Sequence, residues 1–118
     1  MSSWITVCAL SELTTGEARI VELKRPGGRG PRRQAMVVKL DSGELRAYHN
    51  VCKHLPVPLD SFRGRVLADD KTHFLCRTHG ACFRLDDGVC YEGPCRGDSL
   101  DPIAVRVDQG TVEVEDSV

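Results

Sequence analysis

The sequence predicts an all-β fold, a small antiparallel sandwich or open barrel, and three observations predict it. Turn-forming clusters recur along the 118 residues: TTGE at 14–17, DSGE at 41–44, DDG at 86–88 and DQG at 108–110. Between them lie short runs rich in Val, Ile and Leu, several of which alternate apolar and polar residues with the period of a half-buried strand. No stretch of ten or more residues keeps a helical period.

Taken in order, the strands predicted are WITVCAL (4–10), ARIVEL (18–23), AMVVKL (35–40), LRAYH (45–49), HFLC (73–76), ACFRL (81–85), IAVRV (103–107) and TVEVE (111–115). DSGE joins the third to the fourth and DQG joins the last two, the arrangement of hairpin turns. Two segments break the rhythm. KRPGGRGPRR (24–33) reads as a solvated connector; its sharper reading is a basic patch for an acidic partner protein. The stretch from NVCKHLPVPLD to GPCRGDSL (50–100) holds the metal-ligand candidates and reads as an insertion on the β scaffold.

Length and charge narrow the function. A chain of this size forms one domain, residues 1–118, and buries roughly two thirds of the surface that its unfolded form exposes. Sixteen Lys and Arg against 17 Asp and Glu give a net charge of −1. That excludes the basic footprint of a nucleic-acid binder. The N-terminal MSSWITVCAL has no basic stretch ahead of a long apolar run, and no window reaches the roughly 20 apolar residues of a membrane span. The expectation is a soluble, cytoplasmic protein without a membrane partner. In that compartment six cysteines point to metal binding before a disulfide framework.

The chemistry lies in two pairs, Cys52-x-His54 and Cys76-x-x-His79, separated by 21 residues. In extended chain, residues two apart face the same side, so Cys52 and His54 can share one ion. Cys76 and His79 fit a tight turn, with Gly80 next in line to accept unusual backbone angles. Closing the intervening loop costs roughly 3 kcal/mol of chain entropy. Metal–ligand bonding of about 10–16 kcal/mol more than offsets that. Two thiolates and two imidazoles suit a tetrahedral zinc, and equally a [2Fe–2S] cluster with sulfur on one iron and nitrogen on the other.

The surroundings carry a resemblance. NVCKH followed by PLD, then FLCRTHGACF, the DDG turn, GPC and SLDPIAVRV resemble a Rieske iron–sulfur domain, in particular the small soluble Rieske ferredoxins, over residues 45–107. The resemblance implies a Rieske-like β scaffold (about 1–49 and 96–118) bearing a smaller cluster-binding subdomain (about 50–95). It implies one [2Fe–2S] cluster, with Cys52 and Cys76 on the inner iron and His54 and His79 on the outer one. Gly93 and Pro94 would begin a loop that shields it. Two positions depart from the family pattern: Pro56 stands where glycine is usual, and Arg77 where proline often follows the second cysteine.

Replacing two thiolates by neutral imidazoles removes two negative charges and eases reduction, so Rieske centres span about −150 to +300 mV. High-potential relatives carry a disulfide whose half-cystines would fall at Val57 and Thr78, and hydroxyl donors at the positions of Ala81 and Phe83. This chain has neither, and a midpoint in the lower half of the range is expected. The implied role is one-electron transfer from a flavoprotein reductase to a terminal oxygenase, without catalysis by the chain itself, since the length leaves no room for a mononuclear iron domain. A Rieske subunit of an assimilatory nitrite reductase, or a structural zinc module for protein interaction, are the alternatives. A partner would dock beside Lys53 and Leu55. Cys8 reads as a small core residue and Cys82 as a bystander; Cys90 and Cys95 flank the shielding loop, where the compartment favours two free thiols and a short disulfide is the alternative. His49, His73, Trp4 and the two tyrosines read as structural.

Overall fold

The computed structural model describes residues 3–24, 33–51, 59, 66–68, 70–76 and 80–116. Ten strands run through them, with a single 3₁₀ turn at Leu10–Glu12 and no α-helix among the described residues. They are β1 (Ser3–Ala9), β2 (Ala18–Leu23), β3 (Arg33–Lys39), β4 (Leu45–His49), β5 (His73–Leu75), β6 (Cys82–Arg84), β7 (Cys90–Glu92), β8 (Pro102–Ile103), β9 (Val105–Asp108) and β10 (Thr111–Asp116). Three antiparallel sheets result, ordered β1-β10-β9, β2-β3-β4-β8 and β5-β6-β7.

β3 explains how the sheets stack. Successive side chains of a strand point to opposite faces, and β3 is apolar on both. Ala35 and Val37 join a core with Val112 and Val114 of β10, Leu23 and Cys8. Met36 and Val38 join a second core with Leu59, Phe74, Phe83 and Leu100. The four-stranded sheet is therefore the middle layer, with the β1-β10-β9 sheet on one face and the β5-β6-β7 sheet on the other. An unbroken apolar run in a central strand is what burial on both faces requires.

Two polar contacts and one close approach fasten the middle layer to the third sheet. Tyr48 donates to the Leu85 carbonyl at 2.8 Å, and its ring meets Phe74 edge-on with centroids 5.6 Å apart. Burial pushes the Tyr48 phenol up to about 12, so it stays a donor. Arg46 donates to the Asp86 carbonyl at 3.1 Å. Gly88 (φ +73°) lies so close that a β-carbon there would stand 2.8 Å from the Tyr48 ring.

Three sequence expectations change. IAVRV is not one strand: the chain breaks at Ala104, leaving β8 on the middle sheet and β9 on the β1-β10 sheet. A strand that switches sheets forms a corner of a sandwich, and periodicity does not mark where it bends. β7 lies inside the segment read as irregular, because three residues are too few to display a period of two. The 24–33 connector ends one residue early, at Arg33, which begins β3. Its two flanks are joined: Arg33 donates to the Lys24 carbonyl at 2.6 Å and to buried Asp116 at 3.2 Å, and the Lys24 N–H donates to Asp116 at 2.8 Å. Residues 25–32, where the basic-patch reading rests, lie outside the described residues.

Candidate metal centre

The first ligand pair, Cys52 and His54, and His79 of the second lie outside the described residues, as do Lys53, Leu55, Pro56, Val57, Arg77 and Thr78. The residues bounding those segments are described, and their contacts fix where the segments begin and end. At the end of β4, Asn50 is buried. Its N–H donates to the Gln34 carbonyl at 2.9 Å and its side-chain amide donates to Gln34 Oε1 at 3.1 Å. Its Oδ1 accepts the Leu59 N–H at 2.8 Å. One asparagine thus ties both ends of the 51–58 segment together and anchors them on β3.

Cys76 follows β5 directly and is fully buried. Its N–H donates to the Ala81 carbonyl at 2.9 Å, and its own carbonyl accepts the Gly80 N–H at 2.8 Å. The β5–β6 hairpin therefore closes over a turn from Cys76 to Gly80. Gly80 takes φ +75°, as the tight-turn reading of Cys-x-x-His-Gly requires.

A third segment covers that turn. Gly93 has φ +105°, and a β-carbon there would stand 2.6 Å from the Ala81 Cα and 3.2 Å from the Gly80 carbonyl oxygen. Only glycine allows the backbones to approach this closely. Hydrogen bonds from Gly97 to the Cys90 carbonyl (3.0 Å) and from Cys90 to the Asp98 carbonyl (2.7 Å) hold the covering loop. Leu59, Cys76, Ala81, Cys90 and Cys95 belong to one buried cluster. Leu59, the residues Cys76 and Ala81 on either side of the second Cys/His turn, and Cys95 of the 93–97 loop accordingly share a core.

Burial, then the Glu92 carboxylate, pushes the Cys82 thiol up, and the thiol donates to the Gly80 carbonyl at 3.5 Å and to Glu92 at 3.7 Å. Ala81 and Phe83, where the resemblance looks for hydroxyl donors, are fully buried. Arg84 pairs with Asp87 at 2.7 Å, outside the core. His73 has structural partners: Nδ1 lies 2.9 Å from Thr72 Oγ1, and the ring meets Tyr91 edge-on at 5.9 Å. Trp4 packs beneath the Arg106 guanidinium at 4.0 Å, and Cys8 lies in the core between the outer and middle sheets.

Asn50 was not a sequence candidate. An asparagine ending a strand is an ordinary turn former, and only its burial sets it apart. Among the described residues no three His, Cys, Asp or Glu side chains gather as a metal site, since Cys76 is the one predicted ligand among them. Cys76 is fully buried, and its backbone N–H and carbonyl are both hydrogen-bonded, to Ala81 and Gly80.

Comparisons with known proteins bear on the fold and the family. The chain matches the terminal oxygenase of carbazole 1,9a-dioxygenase from Nocardioides aromaticivorans with a TM-score of 0.68 and 25% identity, covering 94% of this chain and 29% of that one. It spans under a third of that oxygenase's length. It matches the ferredoxin of carbazole 1,9a-dioxygenase from the same species with a TM-score of 0.66 and 23% identity, covering 95% of this chain and 96% of that one. The inferred NADH-dependent nitrite reductase small subunit of Mycobacterium tuberculosis aligns with a TM-score of 0.63 and 24% identity over 100% of this chain and 98% of that one. No curated protein matches. The model of the Rieske [2Fe-2S] domain, whose members hold one such cluster, matches residues 3–110, a range that includes both Cys/His pairs. The chain belongs to the Rieske [2Fe-2S] domain family.

Proposed function

We propose that this protein is a cytoplasmic one-electron carrier whose cluster is held by Cys52, His54, Cys76 and His79, and that it passes electrons from a flavoprotein reductase to a terminal oxygenase or related enzyme. The observation that carries the reading is the family match across both Cys/His pairs, with Cys76 buried where three segments converge. When bound, a Rieske cluster supplies a centre that takes up and gives back one electron. The chain's own part is to hold it. Residues 50–95 form the cluster-binding part, and the strands before and after it form the scaffold.

Asn50 ties Leu59, just past the first Cys/His pair, to β3, the end of β5 presents Cys76, and Gly93 brings the 93–97 loop against Gly80 and Ala81. With Ala81 and Phe83 in place of hydroxyl donors, the sulfurs gain less stabilisation on reduction, and the midpoint belongs in the lower half of the Rieske range. The chain matches a ferredoxin and a reductase small subunit end to end, and only a fraction of an oxygenase, which supports a carrier acting between enzymes. The nitrite reductase small-subunit reading rests on the second of those alignments. Zinc has no support from the family match.

The anaerobically purified protein should be coloured, contain two irons and two acid-labile sulfides per chain, and bleach when a flavoprotein reductase and NADH are added. Its midpoint should fall below the middle of the range, and Cys76→Ser should lose colour and iron together. Stoichiometric zinc without sulfide, or a Cys76→Ser protein that keeps its spectrum, overturns the assignment. Stable co-purification with a reductase polypeptide would favour the subunit reading over the carrier.

A further inference from the structure

The loop that covers the second ligand turn is bounded by two cysteines. Cys90, the first residue of β7, is 1% exposed, and Cys95 is 4% exposed. The Cys95 thiol donates to Cys90 Sγ at a separation of 3.2 Å, and the Cys90 thiol donates to the Glu92 carbonyl, also at 3.2 Å. A disulfide places sulfurs about 2.05 Å apart, so a shift of roughly 1 Å joins them. The backbone already holds the two residues in place: Gly97 donates to the Cys90 carbonyl, Asp98 to the Cys95 carbonyl at 2.9 Å, and Cys90 to the Asp98 carbonyl. Two thiols brought together across a turn closed by its own hydrogen bonds can link without rearranging the chain.

Other chemistries fit less well. Cys82, on the neighbouring strand, is engaged with Gly80 and Glu92. Among the described residues no third ligand completes a metal site around the pair. Within the loop, Gly93 packs directly on Ala81, so a link between its two ends would stiffen the segment that closes over the second ligand turn.

We propose that Cys90 and Cys95 are a redox-active thiol pair, oxidised by hydrogen peroxide to a disulfide that latches the 93–97 loop onto Ala81. Both sulfurs are buried, so the oxidant must be small. One sulfur attacks the peroxide O–O bond, becoming a sulfenic acid and releasing water. The second sulfur then displaces the hydroxyl as a second water, and the Sγ–Sγ bond forms. Peroxide is reduced by two electrons and the thiol pair is oxidised by two. A small thiol reductant reverses the step. The latch rests on the loop geometry alone; that it guards the cluster rests on the function proposed above.

Trypsin places both cysteines in one peptide, residues 85–96, and Cys82 in another, residues 78–84. The full-length protein, freed of reductant, is treated with about two equivalents of hydrogen peroxide, quenched with catalase, alkylated with iodoacetamide and digested. The 85–96 peptide should appear unalkylated and about 2 Da lighter than the dithiol, reverting on reduction. The 78–84 peptide should stay alkylated, and Cys82→Ser should change nothing. Cys95→Ser should abolish the mass change. Amide exchange over residues 93–98 should slow about threefold or more in the oxidised form. An 85–96 peptide alkylated at both cysteines, a cross-link from Cys82, or unchanged exchange overturns the proposal. These readouts do not require colour: a colourless protein that still forms the disulfide defeats the carrier reading alone, and a coloured one that does not defeats the latch alone.

Discussion

Asn50 carries three hydrogen bonds from a buried position, two to Gln34 and one from Leu59 across nine residues of chain. Removing its side chain takes the acceptor from the buried Leu59 N–H and the donor from Gln34 Oε1. Leaving buried polar groups unsatisfied costs about 1–3 kcal/mol. Asn50→Ala should lower the unfolding free energy measured in urea by that amount and speed loss of visible colour on dilution into chelator. A variant that bleaches at the wild-type rate would show that the anchor does not hold the first ligand segment. The neighbouring contrast is Gly93, whose contribution is the absent β-carbon and the close approach it allows. A glycine and proline pair in sequence suggests a loop; the 2.6 Å clearance from Ala81 shows why this one must begin with glycine.

The turn between β6 and β7 shows how one element answers to pH. Asp87 accepts from the Val89 N–H at 3.0 Å and from Arg84 at 3.0 and 2.7 Å. Those bonds, the Val89 one foremost, hold its carboxyl below the usual carboxylate range. A carboxyl lowered in the folded state adds stability above its unfolded value of about 3.9 and loses it as pH falls from there through its folded value. Asp70 is lowered in the same direction by Thr72. Asp87→Asn should therefore unfold at a slightly lower temperature at pH 7, with the gap to wild type closing below pH ~4. The side chain is 44% exposed, and solvent screening limits the effect to less than about 1 kcal/mol. A gap that widened in acid would contradict the direction. At the other edge of the fold, Asp116 joins Lys24 to Arg33, so β10 pins both flanks of the basic connector. TVEVE alternates as a strand should, yet nothing in it announces that the next residue is buried against an arginine 83 positions earlier.

Across the whole molecule, β3 separates two cores that respond differently. Met36→Ala opens the core shared with Cys76 and should cost about 2–5 kcal/mol. Val37→Ala opens the core shared with β10 and should cost about 1.5–3 kcal/mol. Both should lower thermal stability, but only Met36→Ala should also alter the visible spectrum or hasten bleaching. Equal spectra would mean that the two cores do not partition as the packing suggests. By itself the sequence determined the all-β class, the positions of most strands and the two Cys/His pairs, because alternation, turn residues and ligand spacing are local patterns read over a few residues. It raised a pairing of Cys90 with Cys95 without deciding it, and it could not reveal the sheet switch at Ala104, β7 or the Asn50 anchor. Those depend on which face of β3 each sheet covers and on contacts between separated segments. Only the packed chain decided them, since burial and hydrogen-bond closure are settled between segments and leave no period in the sequence.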